Sequence, residues 1–133
     1  MGTFNKAVTR NFMKPDERRD FKGHGHLDVL TFATKERGDL MIGKGVFEPG
    51  WKWSTDVKPI AGTDSCTAEH FGYCLKGTMK VKMDSGEEYD VKPGEAYYLA
   101  PGHDAWVTGD EACELLDFTG YAEYAKPKAE KAA

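Results

Sequence analysis

Long apolar runs are missing from this chain of 133 residues. Nothing approaches the ~20 consecutive apolar residues that cross a bilayer as a helix, so no membrane partner is expected. The opening stretch MGTFNKAVTRNFMKPDERRD has no apolar h-region, which argues against a secretory leader. Cysteine is scarce and odd in number: Cys66, Cys74 and Cys113. Such a set, without export features, speaks for free thiols in a reducing cytoplasm and against a disulfide framework. Positive charge is in deficit, with 18 Lys and Arg against 22 Asp and Glu and a net charge of −4. No nucleic-acid partner is expected, because phosphate contacts need concentrated Lys and Arg. A Gly-rich phosphate loop and a dinucleotide fingerprint are lacking too.

What is present is punctuation. Fifteen glycines and six prolines break the chain into short runs that alternate apolar and polar residues. MKVKM, the turn DSG and the return EEYDV form the plainest hairpin signal. DVLTFAT, LMIGKGVF, FGYCL, AYYLA, AWVT and CELLDF read as further strands, separated by turns at PGW, GTDS, LKG, KPG, APGHD and TGDE. Many short strands with frequent turns predict an all-β sandwich or barrel in one domain. The charge-rich residues 1–20 read as a short irregular, solvated arm. Residues 21–125 read as the barrel, and the Ala-, Lys- and Glu-rich residues 126–133 as a flexible C-terminal tail.

From about Val46 to Phe118 the spacing resembles the cupin superfamily, which implies a double-stranded β-helix, the jelly-roll barrel. The family's first motif has the form H-x-H…E…G, its second G…P-x-G…H, and the histidines and glutamate bind a divalent metal. Gly77 fits the closing glycine of the first motif; His70, seven places earlier, then occupies the glutamate position, with Asp64 and Cys66 at H-x-H. In the second motif Gly94 and Gly102 fit, and the metal histidine position falls on Ala105, with His103 two residues before it. The scaffold glycines match, while all four customary ligand positions differ. PGWKWS, HFGYCLKG and PGHDAWVTGDE also resemble a group of small single-domain bacterial cupins that carries no settled activity. The resemblance implies a homodimer as well.

The departures have their own chemistry. Residues two apart in a strand share a face, so Asp64 and Cys66 form one pair and His70, Gly72 and Cys74 one row. His103 arrives on the turn into AWVT, at the same rim. One thiolate and two imidazoles suit zinc first, with iron or nickel compatible by ligand type and a fourth position left for water or Asp64. The metal set is therefore Cys66, His70, His103 and Asp64. A buried cysteine also serves as a small apolar side chain, and Asp104 beside His103 can simply bond turn backbone. The histidine pair in HGH at 24–26 lies outside these motifs and reads as an exposed edge.

Trp51 and Trp53 flank Lys52, so an extended run turns both rings to one side. Together with Cys74, Asp104 and Ala105 they make the expected pocket, in which alanine leaves the space of the missing imidazole. Packing between sheets is the other use of such rings. The function expected is binding of a divalent transition metal, a small molecule, or both. The alternative is a metal-dependent enzyme whose chemistry is hydrolytic, isomerising or oxidative.

Overall fold

The computed structural model describes residues 6–119. Nine strands follow one another as β1 Glu17–Asp20, β2 Gly25–Thr34, β3 Gly38–Phe47, β4 His70–Lys76, β5 Thr78–Met83, β6 Glu88–Val91, β7 Ala96–Leu99, β8 His103–Thr108 and β9 Cys113–Asp117. Two single-turn helices, α1 Trp53–Asp56 and α2 Lys58–Ala61, sit between β3 and β4. A six-stranded sheet runs β1-β2-β3-β9-β4-β7, and a three-stranded sheet runs β6-β5-β8, with every pair antiparallel. The architecture is an all-β cupin-type jelly roll. Among the described residues, no helix is long and apolar enough to cross a membrane.

Alternation in the sequence decides which way each strand faces. In β5, Met79 and Val81 are buried while Lys80 and Lys82 point away. In β8, His103, Ala105 and Val107 are buried and the residues between them are half-exposed. These meet Leu27 and Val29 of β2, Phe47 of β3 and Leu115 of β9 in one core between the sheets. Phe21, Phe47 and Trp51 close one side, with Phe21 stacked on Phe47 at 5.1 Å and Trp51 edge-on to Phe47 at 4.6 Å.

Gly77 and Gly72 are among the glycines that leave no room for a side chain. Gly77 joins β4 to β5 at φ +71°, in the left-handed region, and a Cβ there would lie 2.3 Å from the Ala112 carbonyl oxygen. At Gly72 a Cβ would meet the Leu116 carbonyl oxygen at 2.0 Å and the Tyr97 hydroxyl at 2.6 Å. The space is taken by Tyr97, whose hydroxyl donates to Leu116 O at 3.3 Å.

Three expectations change. The arm is not irregular to residue 20: Glu17–Asp20 is β1, paired with β2. Its charges are paired, Arg19 with Glu17 along the strand at 2.8 Å and Arg18 with the buried Asp28 carboxylate of β2 at 2.7 and 2.9 Å. That makes a polar run into an edge strand. The run after PGW is helical and not extended beyond Lys52; Asp56 accepts from Lys52 N at 3.0 Å, and Gly62 at φ 75° caps the end of α2. The HGH segment is no exposed edge, since β2 lies between β1 and β3. His24 instead sits 3.0 Å from both oxygens of buried Asp56, and His26 lies 3.5 Å from Asp28. The tail at 126–133 lies outside the described residues.

Candidate metal centre

Three ligating side chains from three segments meet at one end of the barrel. His70 opens β4 in the large sheet and His103 opens β8 in the small one. Cys66 comes from the loop ahead of β4 and is held against His103 by a β-bridge: Cys66 N donates to His103 O at 2.8 Å, and Gly102 N donates to Cys66 O at 2.7 Å. All three residues are buried, and their ligand atoms lie within 4.8 Å of one another. Cys66 Sγ is 3.7 Å from His70 Nε2, and the two imidazole rings meet edge-on at 5.5 Å.

The hydrogen bonds fix which ring nitrogens are available. His103 Nδ1 lies 2.7 Å from the Ala100 carbonyl oxygen, which can only accept, so Nδ1 carries the proton. His70 Nδ1 lies 2.7 Å from the Asp117 carboxylate and donates in the same way. Each ring therefore keeps Nε2 for another partner, the arrangement by which an outer carboxylate or carbonyl orients a metal-bound histidine. A sulfur and two nitrogens form a borderline-soft donor set, fit for a divalent transition metal and poor for Mg²⁺ or Ca²⁺.

The charges agree. Burial pushes the Cys66 thiol up, but hydrogen bonds from His103 and His70 outweigh it and bring the pKa down to about 6. Burial pushes His70 down, yet Asp117 and the Cys66 sulfur outweigh that and hold it at about 9. Near neutrality the metal-free site holds a thiolate beside an imidazolium. The thiols of Cys74 and Cys113 move the other way, both raised chiefly by burial.

Behind the cluster lies a cavity of about 40 Å³ lined by Trp51, Trp53, Met79, Ala105 and Leu115 together with Cys66, His70, His103 and Asp117. At roughly 10–15 Å³ for each water-sized occupant, that is room for a very small group.

The expected residues divide cleanly. Cys66, His70 and His103 come together, and Trp51, Trp53 and Ala105 line the cavity beside them. Asp64 does not join: it is exposed in a bend, where the shared-face rule of strands has no force. Cys74 is not among the residues lining this cavity. It faces inward like His70 but lies four residues farther along β4, about 13 Å at strand rise, with Sγ 3.4 Å from Gly77 O. Asp104 points away from the cavity, accepting from Ser54 N at 3.1 Å and so holding the start of α1. His103 and Ala105 both occupy the inward face of β8, one pleat apart, so the imidazole expected at Ala105 stands two residues earlier on the same face. Asp117 was missed; its signal is the period of β9, where Cys113, Leu115 and Asp117 fall on alternate positions.

Residues 62–119 match the family model described as a cupin domain. The chain carries a cupin domain. Among solved structures, this chain is similar to an RmlC-like cupin from Shewanella frigidimarina, at 20% identity over 90% of this chain and 97% of that one, TM-score 0.56. It is also similar to KdgF from Halomonas sp., at 20% identity over 87% and 94%, TM-score 0.52. A third likeness is to a Lactobacillus farciminis oxalate decarboxylase in a formate complex, at 15% identity and TM-score 0.57. That match covers 89% of this chain but 34% of the larger enzyme. At these identities the likeness is one of fold. No curated protein matches the sequence.

Proposed function

We propose that this cupin binds a divalent transition metal through Cys66, His70 and His103, zinc foremost, and admits a small molecule to the adjoining cavity. The observation that carries the reading is the commitment of both Nδ1 atoms to oxygen acceptors, which leaves two Nε2 atoms and a thiolate converging. A bound divalent ion supplies Lewis acidity toward a ligand oxygen. The chain's own part is to fix the ligand tautomers, to set a largely apolar wall beside the cluster, and to hold a proton on His70 Nδ1 against Asp117.

Elemental analysis of untagged protein tests this. Near-stoichiometric metal in the wild type, lost in Cys66→Ser and in His70→Ala but kept in Cys113→Ser, is the expected result. Wild-type protein that stays metal-free after zinc addition refutes it.

A metal-dependent enzyme is the second reading, favoured by the cavity opening directly onto the cluster and by the proton-holding His70–Asp117 pair. A homodimer is also part of the proposal. It draws support from the outer face of β4, where Phe71, Tyr73 and Leu75 are exposed on alternate positions, with Phe118 6.1 Å from Phe71.

A further inference from the structure

Cys66, His70 and Asp117 form a relay as well as part of a ligand set. His70 Nδ1 donates to the Asp117 carboxylate at 2.7 Å, which makes Nε2 the acceptor, and Cys66 Sγ lies 3.7 Å from it. A thiol with a base in reach, and the base oriented by a third group, is the arrangement that activates sulfur as a nucleophile. His103, its Nδ1 committed to Ala100 O, keeps Nε2 as a further acceptor in the same cluster.

The surroundings restrict what such a sulfur can attack. Cys66 is 3% exposed and lines the cavity of about 40 Å³ together with His70, His103 and Asp117, so a reagent meets it through that space. Two oxygen atoms fit there at roughly 10–15 Å³ for each water-sized occupant, and a bulky electrophile does not. Attack on a carbonyl also needs donors for the developing oxyanion. No Lys, Arg, Asn or Gln is among the described lining residues, the Tyr97 hydroxyl already donates to Leu116 O, and the indole nitrogens of Trp51 and Trp53 are buried out of reach. Cleavage of an O–O bond asks less: a proton for the departing oxygen, which is the proton His70 takes from the thiol.

We infer that Cys66 is a peroxide-reactive thiol, oxidised by hydrogen peroxide inside the cavity when no ion is bound, with His70 as its base. The sulfur attacks one peroxide oxygen as its own proton passes to His70 Nε2. The O–O bond breaks, and the departing oxygen takes that proton and leaves as water. Sulfur is thereby oxidised to a sulfenic acid and the peroxide is reduced to water. Asp117 is a positioning residue that fixes the tautomer of His70. Cys74 and Cys113 take no part: both are fully buried, neither is among the described lining residues, and Cys74 Sγ faces the carbonyl oxygens of Lys76 and Gly77.

Chelator-treated full-length protein, mixed with hydrogen peroxide or with cumene hydroperoxide at the same concentration, tests this. The reaction is quenched into denaturant holding dimedone and a maleimide, and each cysteine is followed by peptide mass spectrometry. Cys66 should gain the dimedone adduct about tenfold or more faster than Cys74 and Cys113, and hydrogen peroxide should outpace cumene hydroperoxide by about tenfold or more. His70→Ala should slow Cys66 about a hundredfold. Three cysteines oxidised at one rate, cumene hydroperoxide acting as fast as hydrogen peroxide, or an unchanged rate in His70→Ala each overturns the inference. If His70→Ala fails to fold, the two wild-type comparisons decide. Zinc uptake enters none of these outcomes, so this inference and the metal reading fail independently.

Discussion

Replacing His70 with Ala should visibly raise the pKa of Cys66 in the metal-free protein. The wild-type thiol titrates at about 6 against an ordinary 9.0. That difference corresponds to about 4 kcal/mol in favour of the thiolate, drawn from hydrogen bonds and charge on His103 and His70 working against burial. His70 supplies one of the two hydrogen bonds and a charged partner at 3.7 Å. Its loss should therefore remove on the order of half of the effect and move the midpoint up by about 1–2 pH units. The assay is the thiolate absorbance of chelator-treated protein near 240 nm, followed against pH. Burial holds the Cys74 and Cys113 thiols protonated through this range, so a transition near pH 6 belongs to Cys66 and should vanish in Cys66→Ser. A midpoint that stays near 6 in His70→Ala would refute the ion-pair argument, and so would a wild-type midpoint at or above 8.5.

Other consequences can be checked on the same material. Asp117→Asn removes the carboxylate that orients His70, and zinc affinity measured by competition with a chelator should fall about 10–100-fold at little cost to the fold. The contribution of this pair to the Tm of the metal-free protein should be nearly level between about pH 6.5 and 9, and single replacement of either residue should tilt it. Across that range the depressed Cys66 contributes more as pH rises towards its ordinary 9.0, while the raised His70 contributes less as pH rises from its ordinary 6.5 towards about 9, so the two slopes oppose each other. Gly77→Ala should destabilise by about 2 kcal/mol or more in denaturant titration, because the new Cβ meets backbone at a left-handed φ. Phe71→Glu should convert a dimer to a monomer in light scattering if the outer face of β4 is the contact; an unchanged mass would place the interface elsewhere.

The strands were legible because the signal that defines them is local. Period-two alternation in MKVKM and CELLDF follows from one face being buried, and glycine and proline mark where each run must turn. The helices were not legible because each is a single turn: WSTD and KPIA are too short for a 3.6-residue period to show, WSTD being fastened by the Asp56 carboxylate accepting from Lys52 N and KPIA ended by left-handed Gly62. β1 was hidden for a different reason. Its pairing depends on Arg18 finding Asp28 ten residues on, and composition counts those charges without pairing them. At the site, the histidines and Cys66 followed from spacing on a known scaffold. Asp64 failed where its segment ceases to be a strand, and Asp117 was invisible because its partner lies 47 residues away.

The three ligating residues come from different parts of the barrel: His70 from the six-stranded sheet, His103 from the three-stranded one, and Cys66 from the loop stitched to His103. An ion held by all three is a rivet between the two layers, fastened at the end where the loop is their lacing. Occupancy then becomes a mechanical property of the barrel. At an ion concentration a thousandfold above Kd such a rivet would add about 4.1 kcal/mol against unfolding, and stripping the ion would unfasten the two layers at that end.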